Sequence, residues 1–402
     1  TGSSFTVTDG SYASGAIQVR QIDQAGNTGS ATSSTAAITI DTAAPAAPTL
    51  SISDTGSSSS DGITNATSVS ISGVESTGYW QYSSDSGSTW SANQAAATTS
   101  FSIAQGNYAS GAIRVRAYDQ AGNLQSGTGY TSLAALVVDT TVPTASVSNI
   151  SLSSDTGSSS TDGITNTAAQ TITATLSAGL ATASGSASAE QLWASVDNGS
   201  NWTNISSFVS GSSVSWTGVT LSGASTILMQ VRDTAGNVSS AGSGSRSYVI
   251  DTSAPSTTVS NVSLSADTGS SSTDGITNTA AQTISATLSA GLATASGSAS
   301  AEQLWASTDN GSTWSNISSS VTGTSVSWST TISGSGTIVM QVRDAAGNTG
   351  TTSTGRPYTL DTAAPAAPTL SISDTGSSSS DGITNATSVS IRSEEHTSEL
   401  QS

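Results

Sequence analysis

Short runs in which apolar and polar residues alternate, separated by Gly-, Ser- and Asn-rich stretches, make up most of this 402-residue chain. Alternation of period two sends one side of an extended segment inward and the other outward, so each run predicts a half-buried β-strand. It is plainest in AIRVRAYD, where Ile113, Val115 and Ala117 fall on one face and Arg114, Arg116 and Tyr118 on the other. Around that run the same reading predicts strands at TLSIS (49–53), SVSIS (68–72), YWQYS (79–83), SFSI (100–103) and AALVVD (134–139), with Trp80 near the centre of the packing. Helical periodicity is absent, and no apolar run approaches the length of a membrane span.

The pattern repeats. The motif D-T-x-x-P begins at Asp41, Asp139, Asp251 and Asp361, so successive copies lie 98, 112 and 110 residues apart. That is the size of a small β domain, not of a short solenoid unit. Complete units are expected at 41–138, 139–250 and 251–360, preceded by the C-terminal part of a unit at 1–40 and followed by the start of another at 361–391, which repeats residues 41–71 without change. Seven short strands per unit, joined by turns, predict an all-β chain: a tandem array of Ig-like Greek-key β-sandwiches. The repeat breaks at 392 in mid-strand, and residues 392–402 are read as an adapter-derived artefact and set aside. They hold the single histidine, His396, which is therefore no catalyst.

The acids follow the repeat too. All aspartates but Asp9 lie in four motifs: D-T-x-x-P; D-x-A-G-N, at Asp23, Asp119, Asp233 and Asp344; D-T-G-S-S-S-x-D-G-I-T-N, with two acids per copy; and S-x-D-x-G-x-x-W, at Asp85, Asp197 and Asp309. Short carboxylates confined to turns suggest hard oxygen ligands for calcium, although Asp in such turns is also an ordinary turn cap. Composition narrows the rest. A net charge of −18 without a lysine speaks against nucleic acid, and the lack of cysteine leaves no disulfide framework, so another staple is expected for domains with modest cores.

D-T-x-A-P, DGITN and D-x-A-G-N together resemble the bacterial Ig-like repeats of very large secreted adhesins, the giant type I secreted and biofilm-associated families, over residues 1–391. The resemblance implies an extracellular or cell-surface location, a calcium-rigidified stalk, and contact with host-cell or matrix glycan or protein through other domains. Near-identity of 161–195 with 273–307, which differ only at Thr173 against Ser285, suits duplicated spacer units.

Sandwich topology assigns the expected ligands. The loop after the first strand lies at the C-terminal end of its domain, and the D-x-A-G-N turn lies at the N-terminal end, beside that domain's own linker Asp. Calcium is therefore expected among Asp54, Asp61, Asp139 and Asp233, and among Asp155, Asp162, Asp251 and Asp344, with Asn65, Asn166 and Asn278 adding carbonyl oxygens. Asp267 and Asp274 should meet Asp361, and Asp41 should lie beside Asp119. The S-x-D-x-G-x-x-W motif matches the Asp-box hairpin of sialidase propellers, where it is structural. No carboxylate pair, tyrosine nucleophile or arginine cluster accompanies it here, so an enzyme is not expected. A stalk is the leading expectation. A glycan- or cell-binding module and an accessory array of a secreted glycan-active enzyme are the alternatives.

Overall fold

The computed structural model describes residues 4–239, 244–297 and 299–392; the expected artefact lies, but for Arg392, outside them. The chain falls into two compact units: Thr1–Ser154 with Ala169–Tyr248, and Asp155–Ala168 with Val249–Ser402. The described residues are all-β apart from two single-turn 3-10 segments, and the strands build Ig-like sandwiches. No helix among the described residues is long and apolar enough to cross a membrane.

In the first unit, residues 41–138 show how the alternation becomes a core. Strands Ser100–Ser102, Ser68–Ser72 and Thr49–Ile52 form one sheet, and Thr131–Ser132, Arg114–Tyr118, Tyr79–Ser83 and Gln94–Ala95 form the facing one. Val69, Ile71, Trp80, Ile113, Val115 and Ala117 interlock between them, all nearly without solvent exposure, whereas Arg114, Arg116 and Tyr118 stand outward as the alternation requires. Each such aliphatic side chain contributes about 1.5–3 kcal/mol by leaving water. Trp80 donates its indole N–H to Ala95 O and Thr98 O, both at 3.1 Å, which satisfies its polar end at the core.

Of a third, small sheet alternation showed only the central strand, within AALVVD. Leu136–Val138 pairs antiparallel with Gly106–Tyr108 and parallel with Ile63–Thr64, inside the acidic loop. Two-residue strands are too short for a period to show. They fix the loop nonetheless, because pairing to the last strand holds D-G-I-T-N at the end of the sandwich.

Further along the first unit, Val147–Leu152, Ala169–Leu176, Ser213–Thr220 and Val209–Ser210 form one sheet, and Glu190–Ser195 pairs between Thr203–Asn204 and Ala224–Asp233. In the second unit, Ile164 and Thr165 pair parallel with Val249 and Ile250. The sandwich of 251–360 places Val259–Ser263, Ala281–Leu288, Ser325–Thr331 and Val321–Thr322 in one sheet. The other runs Ile276–Thr277, Arg356–Leu360, Ser335–Asp344, Glu302–Ser307 and Ser315–Asn316. From Ala281–Leu288 through Glu302–Ser307 and Ser325–Thr331 to Ser335–Asp344 the long strands cross from one sheet to the other in turn, as Greek-key connections do, around Ile284, Leu304, Ile338 and Val342.

Candidate functional site at the repeat junctions

The junctions at Asp139 and Asp251 are each built from three motifs that the chain brings together. Asp139 follows the last strand and donates its N–H to Thr64 O at 2.9 Å, which ties the start of the linker to the D-G-I-T-N segment. The residue is 1% exposed. Oδ2 accepts from Ser188 N at 2.6 Å and Ser188 Oγ at 2.8 Å, and Oδ1 from Thr141 N at 2.9 Å. Burial raises the Asp139 pKa, but these donors outweigh it and hold the carboxyl below its ordinary value.

The D-x-A-G-N turn supplies the second part. Asp233 accepts from Asn237 N through Oδ1 and from Asn237 Nδ2 through Oδ2, both at 2.8 Å. The same Nδ2 donates to Asp139 O at 2.8 Å, so one amide group ties the turn to the linker. Asp233 is nearly fully buried, and its pKa is raised, first by burial and then by the charge of Asp139, against the opposing Asn237 bonds.

The acidic loop supplies the third. Thr55 Oγ1 donates to Ala235 O at 2.8 Å, and Ser57 N to Thr234 O at 3.2 Å, across 41–138 to the next repeat. Gly56 sits at φ +93°, and a Cβ there would overlap the Thr234 carbonyl, so the loop docks backbone against backbone. Gln105 and Asn107 close the rim, with Asn107 Nδ2 donating to Gly185 O at 2.9 Å and Gln105 Nε2 to Thr141 Oγ1 at 2.8 Å.

In the second unit the same constellation recurs around Asp251. Ser300 N and Oγ donate to its Oδ2 at 2.6 and 2.8 Å, Asn348 Nδ2 donates to its carbonyl at 2.7 Å, and Thr156 Oγ1 donates to Ala346 O at 2.7 Å. Asp344 is raised as Asp233 is, by burial first and by Asp251 among the lesser causes. Elsewhere the assembly is looser. Asp41 is exposed, its Oδ1 accepting from Ala43 N, although Asn123 still joins its carbonyl to buried Asp119. Asp361 is exposed and accepts from Ala363 N.

The remaining expected ligands serve their own loops. Asp61, Asp162 and Asp274 are exposed and accept from the N–H two residues on, at Ile63, Ile164 and Ile276. Asp54, Asp155 and Asp267 accept from the N–H of Gly62, Gly163 and Gly275. Asn65 and Asn166 each turn their side-chain oxygen to a threonine ten residues back. The geometry thus gathers two buried carboxylates at each full junction. Among the described residues no group of three or more acids or histidines is placed to hold a metal ion. Hard oxygen donors suit calcium, which takes six to eight of them; the carboxylates gathered here fall short of that cage.

Ser188, Ser300 and the Asn of D-x-A-G-N are the residues that sequence reading missed. The serines lie in a small-residue stretch without pattern, but Asn27, Asn123, Asn237 and Asn348 recur in every copy of their motif, and that recurrence was the available signal.

The S-x-D-x-G-x-x-W segments are local hairpins. Asp85 accepts from Ser83 Oγ at 2.7 Å and Thr89 N at 2.9 Å, while Ser83 Oγ accepts from Gly87 N at 2.9 Å. Ser86 and Gly87 both take positive φ, as do Asn198 with Gly199 and Asn310 with Gly311. The motif tryptophans carry arginines: Arg232 lies over Trp202 and Trp193, Arg343 over Trp314 and Trp305, and Arg116 over Trp90 at 4.1 Å.

No family model and no curated protein matches the chain. A crystal structure of domains A168-A170 from titin is similar at 10% identity over 80% of this chain and 95% of the titin chain, with a TM-score of 0.25, a likeness too slight to argue from.

Proposed function

We propose that this chain is a non-enzymatic spacer, an extracellular stalk segment of a surface adhesin, whose work is done at the junctions between repeats. The observation that supports it most is the interlocking of three motifs at Asp139 and again at Asp251. Linker carboxylate, D-x-A-G-N turn and the preceding repeat's acidic loop are all committed to one another, so each repeat is completed by its neighbour. Hydrogen bonds to charged groups contribute about 1.5–3 kcal/mol each, enough for a few of them to fix a linker that would otherwise hinge. Exchanging the junction acceptor tests this: in Asp139→Ala the melting transition of the chain should fall or split. An unchanged melt would remove the junction from the account.

The buried like-charge pairs favour a second reading, calcium at Asp139 with Asp233 and at Asp251 with Asp344. Asp233 and Asp344, raised by burial and further by the charges of Asp139 and Asp251, would gain from a cation, which when bound supplies neutralisation there. On this reading calcium adds to a junction already closed by protein groups.

A further inference from the structure

The acidic loop of 251–360 carries an internal cation. Arg356 Nη2 donates to Asp267 Oδ2 at 2.7 Å and Nη1 to Thr273 O at 3.1 Å, with the Asp267 side chain 7% exposed. The same loop in 41–138 lacks that partner. Val137 pairs with Ile63 as Thr359 pairs with Ile276, so Ala134 stands at the strand position of Arg356. Asp54 Oδ2 still accepts from Gly62 N at 2.9 Å, but Oδ1 is buried with no hydrogen-bond partner. Beside it lies a cavity of about 290 Å³ lined by Ile52, Asp54, Gly62, Thr64, Ala134 and Leu136.

We infer that this cavity is a binding site for a guanidinium group presented from outside the domain. The chain itself displays the complementary pair at Asp267, and the cavity is what remains when the arginine stem is replaced by a methyl group. One carboxylate among aliphatic walls offers too few oxygens for calcium. A planar, weakly hydrated guanidinium can instead fork onto the carboxylate while its stem lies on Ile52 and Leu136. Lysine's compact, strongly hydrated ammonium fits such walls less well. The site is independent of the spacer reading, since it sits within one sandwich.

The test uses the full chain and follows the Gly62 and Gly275 amide resonances during titration with ethylguanidinium, with an acetylated arginine amide, with an arginine-containing tripeptide, and with acetylated lysine amide and calcium chloride as controls. Saturable shifts at Gly62 but not at Gly275 are expected for the guanidinium probes. Equal affinity for ethylguanidinium and peptide assigns a free small cation; tighter peptide binding assigns an arginine of a partner chain. Ala134→Arg should supply the cation from within, abolishing probe binding and raising the melting temperature. Arg356→Ala should make Gly275 responsive in turn, a gain that misfolding cannot mimic. No Gly62 shift with any guanidinium probe, equal shifts with lysine amide or calcium, or a silent Gly275 in Arg356→Ala would each overturn the assignment.

Discussion

Aspartate does different work at different positions of one repeat, and hydrogen-bond partners decide which. Asp85, Asp197 and Asp309 are held down to about 2 from an ordinary 3.8, chiefly by side-chain donors: Thr89 for Asp85, Ser195 for Asp197, and Ser307 for Asp309. A carboxyl lowered on folding stabilises above its unfolded value, and that stability is lost as pH falls through the folded value. Carboxyl carbon NMR of the folded chain should therefore show three aspartates titrating near 2, with the hairpins loosening between pH 4 and 2; midpoints near 3.8 would contradict the network. Asn237 makes a second case. Asn237→Ala strips donors from Asp233 and from the Asp139 carbonyl at once, so calorimetry should find a loss of about 1–3 kcal/mol, against a few tenths for an exposed asparagine. The aspartates were legible in the sequence as recurrent turn acids. Their partners were not, because Ser188 and Asn237 are small polar residues whose role appears only when separate segments meet.

Among elements, the strands with alternating runs were the readable ones. Ser68–Ser72, Tyr79–Ser83 and Arg114–Tyr118 lie where alternation put them, because one buried face imposes the period. The expected run at 134–139 shortens to Leu136–Val138, and the two-residue strands at 63–64, 94–95 and 131–132 gave no signal. Of these, Ile63–Thr64 with Leu136–Val138 holds the acidic loop, and two residues without a period left the contacts of its acids unreadable. Thr173 and Ser285, the one difference between two otherwise identical stretches, keep the same hydroxyl contact, to Ser151 and Ser263 at 2.7 and 2.8 Å. At Gly56 the element fails sharply: Gly56→Ala adds a Cβ against the Thr234 carbonyl at positive φ, and strain of about 1–3 kcal/mol should undock the loop. Faster amide exchange confined to the 53–65 and 233–239 segments is expected, and unchanged exchange would show the close approach to be unimportant.

For the whole molecule, the repeat spacing foretold sandwiches in series. Contacts divide the chain differently, because residues 155–168 join the unit of the following repeat. Under the proposed spacer reading, a loop that belongs by sequence to one repeat and by contact to the next ties those two repeats together. Calcium enters at this scale as an addition. With affinity near 1 mM, typical of extracellular modules, 10 mM calcium should stabilise the fold by about 1.4 kcal/mol per site through mass action. A melting temperature equal in calcium and in chelator would remove the second reading and leave the first standing.

Amide hydrogen exchange of the full chain in chelator tests the junction directly. If protein groups alone close it, Ser57 N–H, bonded to Thr234 O, and Ser188 N–H, bonded to Asp139 Oδ2, should be protected to within about tenfold of core amides such as Ile71. Exchange at Ser57 and Ser188 as fast as in exposed loops, restored to core-like protection only by calcium, would contradict the account and make the metal, rather than the hydrogen bonds, the lock.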